Sequence, residues 1–145
     1  MSETVIIDRW VPGIPKGTPR HRTRRVVRRD GSVGTQVYPG GSADDWRAIL
    51  VSELGAAPAP VEGPVAVVLE FSLPRPKSLM RARSPDWALA HAKKPDIDNL
   101  VKLVCDVLTQ RGYWRDDCQV AELTASKAYP VLGGSPGVHV TVSRL

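Results

Sequence analysis

Hydrophobic residues recur along this chain in two rhythms, and the switches between them mark out most of its elements. Val65 to Leu73 reads VAVVLEFSL, an apolar run of strand length rich in β-branched residues. It predicts a strand at the centre of a sheet. Val5-Ile6-Ile7, Gln119 to Tyr129 and Gly137 to Arg144 predict three more strands. Between Arg25 and Tyr38 two candidate strands flank Asp30-Gly31, a dipeptide that favours a tight hairpin turn.

Two segments change to helical spacing. Over Ala43 to Leu54, Trp46, Ile49, Leu50 and Leu54 share one face. Ser42 stands where a capping side chain belongs, and Asp44 and Asp45 lie in the first turn, where negative charge suits the helix dipole. Over Asp96 to Thr109 the apolar set is Ile97, Leu100, Val101, Val104, Val107 and Leu108, an i, i+3, i+4, i+7 series. Trp10 to Pro19 and Gly55 to Pro64 are rich in Pro and Gly and predict loops. Pro74 to Lys94 predicts a long loop with a helical turn around Asp86 to His91. Interleaved strands and helices place the chain in the mixed α/β (α+β) class. The expected architecture is a single domain over residues 1–145, with a mixed sheet of about four main strands packed with two helices.

A 42% hydrophobic and 24% charged composition is ordinary for a soluble protein. No apolar run approaches the roughly 20 residues needed to cross a bilayer, and no secretory leader is visible. A cytoplasmic protein without a membrane partner is expected. Cys105 and Cys118 form no CxxC pair, and His21, His91 and His139 are scattered. Both thiols are therefore expected to be reduced, and a structural zinc is disfavoured.

The net charge of +5 favours an anionic partner, and its distribution says more. Arg20 to Arg29 reads RHRTRRVVRR, and Arg75 to Lys94 holds six cations against Asp86 alone. Arg20, Arg22, Arg24, Arg25, Lys77, Arg81, Arg83, Lys93 and Lys94 are candidate DNA contacts, because such runs suit phosphate. The acids gather elsewhere: Asp96, Asp98, Asp106, Asp116 and Asp117 are five of the fifteen, within 22 residues.

That cluster is where chemistry is expected. Two residues apart in a regular helix means about 200° of rotation, so Asp96 and Asp98 converge only if Asp96 lies just before the first turn. Lys102 follows Asp98 by four residues, on the same stripe. Asp116 and Asp117 follow a turn at Arg111-Gly112 and are expected to begin the next strand, with one of them facing the site. Clustered carboxylates without Cys or His suit Mg²⁺, with Mn²⁺ as a substitute. Lys102 would then neutralise charge on a phosphate. A purely structural reading competes: Asp96 as an N-cap, Asp98, Lys102 and Asp106 as an i, i+4 ladder, and Asp116 as a turn residue. For Asp106 the ladder is the better reading.

The order Asp96-Ile97-Asp98-Asn99-Leu100, then Lys102, Asp106 and Leu108, then Asp116-Asp117 and Gln119-Val120 resembles the signature of the RusA family of Holliday junction resolvases. That signature has a D-x-D-N-L-x-K core, a later helix aspartate and a D-D-x-Q-V segment. The resemblance implies a homodimeric, Mg²⁺-dependent endodeoxyribonuclease of bacteria or phages, without a small-molecule cofactor. Such an enzyme resolves four-way or other branched DNA by paired symmetric nicks. Carried over by position, Asp96, Asp98 and Asp117 are the catalytic, metal-holding carboxylates and Lys102 is catalytic. Asp116 supports its neighbour, and Asn99 orients the site. The Pro74 to Lys94 loop is longer than in the shorter members, and the run at 20–29 matches only in being basic. Tyr113 and Trp114 are candidates for the dimer interface, with core packing as the alternative. A non-catalytic basic DNA-binding module and a general nuclease are the competing functions.

Overall fold

The structure, a computed structural model, describes residues 4–19, 22–38 and 42–145. In chain order these form β1 (Thr4–Pro12), β2 (Arg22–Val27), β3 (Val33–Tyr38), α1 (Asp44–Leu54), β4 (Val65–Ser72), β5 (Leu89–Ala90), α2 (Ile97–Gln110), β6 (Val120–Tyr129) and β7 (Gly137–Arg144). Five strands make one sheet in the order β1-β7-β4-β6-β5, and β2 and β3 make a separate hairpin. The mixed α+β class holds. The main sheet has one strand more than expected, because β5 is two residues long and too short to show a period.

The apolar run at Val65 does take the central place. It pairs antiparallel with β7 and parallel with β6. Parallel neighbours need a long crossover, and here that crossover carries α2. Val65, Val67, Leu69 and Phe71 of β4 share one core with Val138, Val140 and Val142 of β7, Trp46, Leu50 and Leu54 of α1, and Leu100, Val104, Val107 and Leu108 of α2. Leu103 is also fully buried, although it lies outside the predicted periodic set. Because α2 packs on both α1 and the sheet, its buried arc is wider than one stripe. No helix among the described residues is long and apolar enough to cross a membrane.

Several expectations are corrected. Trp10 to Pro12 belongs to β1 rather than to a loop: Val11 pairs with Val138 and is fully buried, so the ladder and the core outweigh local composition. The loop starts at Gly13, whose φ of +139° suits glycine alone and whose N–H donates to the Pro136 carbonyl at 3.2 Å. The N-cap of α1 is Ala43 rather than Ser42, though the Ser42 hydroxyl still accepts from the Asp44 N–H at 3.2 Å. The hairpin forms around Asp30-Gly31, but its first strand begins at Arg22. Asp30 closes the turn by accepting from the N–H and hydroxyl of Ser32. In the basic loop the helical turn falls at Lys77–Leu79. Leu89 and Ala90 instead extend along the edge of β6, which gives their backbone ladder partners.

Tyr113 and Trp114 are core residues, not an exposed interface. The Tyr113 hydroxyl donates to the Leu54 carbonyl at 2.6 Å, and the Trp114 indole donates to the Thr109 hydroxyl at 2.7 Å. Gly112, with φ of +80°, turns the chain back after α2 so that Trp114 meets Val61 of the linker.

Leu103→Ala should lower unfolding free energy by about 2–5 kcal/mol in a urea titration, as for a leucine deleted from a packed core. Val101→Ala, at a half-buried site, should cost clearly less. Equal costs would contradict this packing.

Candidate active site

The entry to α2 is tied down from two sides. Lys127 on β6 donates to the carbonyls of Lys93 and Pro95, the latter at 2.9 Å. From the other side, the 13–19 loop lies over the first turn of α2. Lys16 pairs with Asp45 of α1 at 3.0 Å, and the Thr18 N–H donates to the Asn99 carbonyl at 3.2 Å. A Cβ on Gly17 would stand 2.8 Å from the Asn99 Cβ, so glycine is what lets the loop come this close. Asn99 therefore joins loop to helix, and Asp96 sits at the N-cap with extended backbone and no side-chain capping bond.

The segment after α2 is a capped 3₁₀ turn, not the start of a strand. Asp116 accepts from the Cys118 N–H at 3.0 Å, and Gln119 Oε1 accepts from the N–H groups of Arg115 (2.9 Å) and Asp116 (3.3 Å). The same Gln119 amide donates to the carbonyls of Val61 (2.8 Å) and Gly63 (2.9 Å). One side chain thus fixes the turn to the linker before β4. Asp116 does what the structural reading expects of it, as a turn and capping residue. The Cys118 N–H holds its carboxyl below the usual aspartate range, with Asp117 and the Cys118 side chain adding to the effect.

Between α2 and β6 lies a hollow of about 600 Å³. Asp98, Lys102 and Cys105 line it from the helix, and Asp117, Val120 and Leu123 line it from the facing segment. Positions 98, 102 and 105 are i, i+4 and i+7, one stripe of α2. The Cys105 thiol is pushed up to about 11, mainly by burial and then by the carboxylates of Asp106 and Asp117. Asp117 is therefore close enough to the middle of α2 to act on it electrostatically. Lys102 also pairs with Asp106 at 3.4 Å, half of the expected ladder.

The hollow brings Asp98, Lys102 and Asp117 together, while Asp96 does not line it. Among the described residues no group of three His, Cys, Asp or Glu side chains is gathered tightly enough to hold a metal ion. Arg24 and Arg25 are exposed on the β2–β3 hairpin, where Arg24 donates to Gln36 at 2.8 Å. Lys77, Arg81, Arg83, Lys93 and Lys94 are exposed along the segment between β4 and α2. Arg20 and the side chain of Arg22 lie outside the described residues. Sequence reasoning gave no role to Gln119 or Lys127. For Gln119 a signal existed, since Asp116-x-x-Gln119 has the spacing of a capping box. Lys127 acts through contacts distant in sequence, and no local pattern marks it.

The profile of the family described as Endodeoxyribonuclease RusA matches residues 12–143. This chain belongs to the RusA family. The match runs from the end of β1 through almost all of β7, so it takes in both walls of the hollow. A curated relative, the "Uncharacterized protein YqaN" of Bacillus subtilis (strain 168), is 36% identical over 74 residues, 48% of this chain and 51% of the relative. The similar stretch thus spans about half the length of that curated relative.

Gln119→Ala removes both contacts to the linker and the acceptor that closes the turn. It should cost about 0.5–1.5 kcal/mol, the net scale of an ordinary hydrogen bond, because the bonds lost are exposed or only partly buried. Hydrogen exchange should quicken at the amides of Arg115 and Asp116 before it changes in α2. Unchanged exchange there would refute the pinning role.

Proposed function

We propose that this RusA-family chain is a divalent-metal-dependent endodeoxyribonuclease that cuts branched DNA, four-way junctions above all, as a homodimer. One observation carries the reading: Asp98, Lys102 and Asp117, from two separate stretches of chain, line the same hollow. Mg²⁺, with Mn²⁺ as a substitute, suits this donor set. Such an ion takes one or two carboxylates and fills its remaining places with waters and substrate phosphates. Asp98 and Asp117, which line the hollow, would hold it, and Asp96, at the helix entry and outside that lining, would serve as a third carboxylate only by turning its side chain inward. When bound, the ion supplies polarisation of the phosphodiester and a water of lowered pKa.

The chain's own groups do the rest. The N-terminus of α2 favours negative charge at its first turn, and so attracts a phosphate. Lys102 neutralises charge that develops on that phosphate. Lys102 itself is exposed and its pair with the half-buried Asp106 is a loose one at 3.4 Å, so turning to a phosphate costs Lys102 little. Asn99 and Gln119 fix the backbone that carries Asp98 and Asp117. The exposed cations of the hairpin and of the 74–94 segment hold the DNA backbone, a contact that weakens as salt rises. Two symmetric nicks in a two-fold junction call for two copies of the site.

Incubation with a synthetic four-way junction tests this. Wild type should nick it with Mg²⁺ and stop in EDTA. Asp98→Asn and Asp117→Asn should each lose roughly a hundredfold or more in rate, the scale for removing a preorganised electrostatic group, while still binding the junction. A linear duplex of the same sequence should be cut far more slowly. If Asp98→Asn cuts as fast as wild type, the site is elsewhere. If no metal supports nicking although the junction binds, the chain is a DNA-binding module.

A further inference from the structure

The segment between β4 and α2 is long, basic and rich in Pro and Ser, yet it is cross-linked inside by one side chain. Arg75 Nε donates to the Pro130 carbonyl at 2.9 Å. Its Nη1 donates to the carbonyls of Leu79 (3.0 Å) and Pro85 (2.8 Å), and its Nη2 donates to that of Trp87 (2.7 Å). A guanidinium presents its N–H donors in a fixed fork, and this one makes four bonds to the backbone of its own fold. Arg75 is thus an internal clamp, unlike the other cations of its stretch. A second tie, from the Leu132 N–H to the Asp86 carbonyl at 2.9 Å, joins the same segment to the β6–β7 turn.

On this frame stand two large apolar side chains in water: Trp87, 63% exposed, and Met80, 60% exposed. The backbone of Trp87 is fixed at its own carbonyl by Arg75, and its ring projects from the surface. Lys77, Arg81 and Arg83 are exposed on the same segment. An exposed aromatic ring on a fixed base among cations complements one class of partner well, a nucleic acid with unstacked bases. The cations meet the phosphates, and the ring offers a stacking surface. A continuous duplex keeps its bases stacked, whereas a branch point interrupts the stack and lowers the cost of splaying a base out.

Resting on the branched-DNA reading above, we propose that Trp87 stacks on a nucleobase exposed at the branch point and that Arg75 is the positioning residue that holds it there. Trp87 selects the branched substrate, while Asp98 and Asp117 serve the cutting.

The test uses the full chain in EDTA, so that binding is read without cutting. The probe is a four-way junction carrying 2-aminopurine at the branch point, compared with a linear duplex of the same sequence. Trp87→Ala should weaken junction binding about tenfold, the scale for losing one stacked base. It should also abolish the change in 2-aminopurine fluorescence and shift duplex binding by less than about twofold. Trp87→Phe should restore most of both signals. Arg75→Lys keeps the charge but not the fork, and it should reproduce the loss seen with Trp87→Ala. If Arg75→Lys fails to fold by circular dichroism, the two Trp87 variants still decide. Junction binding and fluorescence in Trp87→Ala that match wild type would overturn the proposal. So would a change in oligomeric state in that variant, which would assign the ring to an interface between copies. Failure of wild type to prefer the junction over the duplex would instead sink the branched-DNA reading itself, so the two failures are distinguishable.

Discussion

The parallel pairing of β4 with β6 is the constraint from which the site follows. Antiparallel strands can be joined by a turn of two residues, but parallel strands cannot. The chain leaving the end of β4 must travel back to the start of β6 before it can pair. It does so through the basic segment, then α2, then the capped turn at Asp116 to Gln119. The apolar face of α2 packs on the sheet and on α1, which fixes where its polar stripe emerges. Asp98, Lys102 and Cys105 come out on the side facing β6, and the turn delivers Asp117 to the same hollow. Breaking the crossover would scatter both walls.

The electrostatics of the hollow follow from this placement. Asp117 and Asp106 stand near a largely buried thiol, and together with burial they raise it. Charges set against an apolar wall are screened less than charges in open water. A carboxylate there repels its like more strongly and attracts a cation more strongly. Placement also separates Asp116 from Asp117. The first is used up in closing its own turn, accepting from the Cys118 N–H. The second faces the hollow, so adjacent residues of one type divide into support and function by geometry alone.

How much of this was legible in the sequence depends on how local each cause is. The central strand, both helices and the hairpin turn were readable because burial period and turn chemistry are written in neighbouring residues. Trp10 to Pro12 has the composition of a loop, while the partner that makes it a strand, Gly137 to His139, lies at the other end of the chain. Leu103 escaped because the expected helix faced one neighbour and the real one faces two. Tyr113 and Trp114 looked like candidates for an interface, but the glycine turn at 112 folds them onto a linker that no pattern tied to them. At the site, the residue types and spacing pointed to Asp96, Asp98 and one of Asp116 and Asp117 sharing one place near Lys102, and the family resemblance chose Asp117. They did not show that Asp117 reaches it from a capped turn, nor that Asp96 stays outside the hollow's lining.

Arg75 shows why charge counted along a sequence is an incomplete guide to partners. Composition makes it one more cation in a basic run, yet its side chain is spent on four carbonyls. Burial decides which cations are free for a ligand. The β2–β3 hairpin stands at the other extreme: Val27, Val33 and Val37 are all exposed, and among the described residues it shares no ladder with the main sheet. A lone two-stranded hairpin is marginal in water, and local bonds help this one keep its shape, at Asp30 with Ser32 and at Arg24 with Gln36. Because no core depends on it, its surface can be loaded with arginine at little cost in stability. The same freedom holds for the outer face of the 74–94 segment once Arg75 has fixed its inner one. The cations therefore collect where the fold asks least of them, and the acids collect at the two ends of α2, where the crossover places them beside an apolar wall.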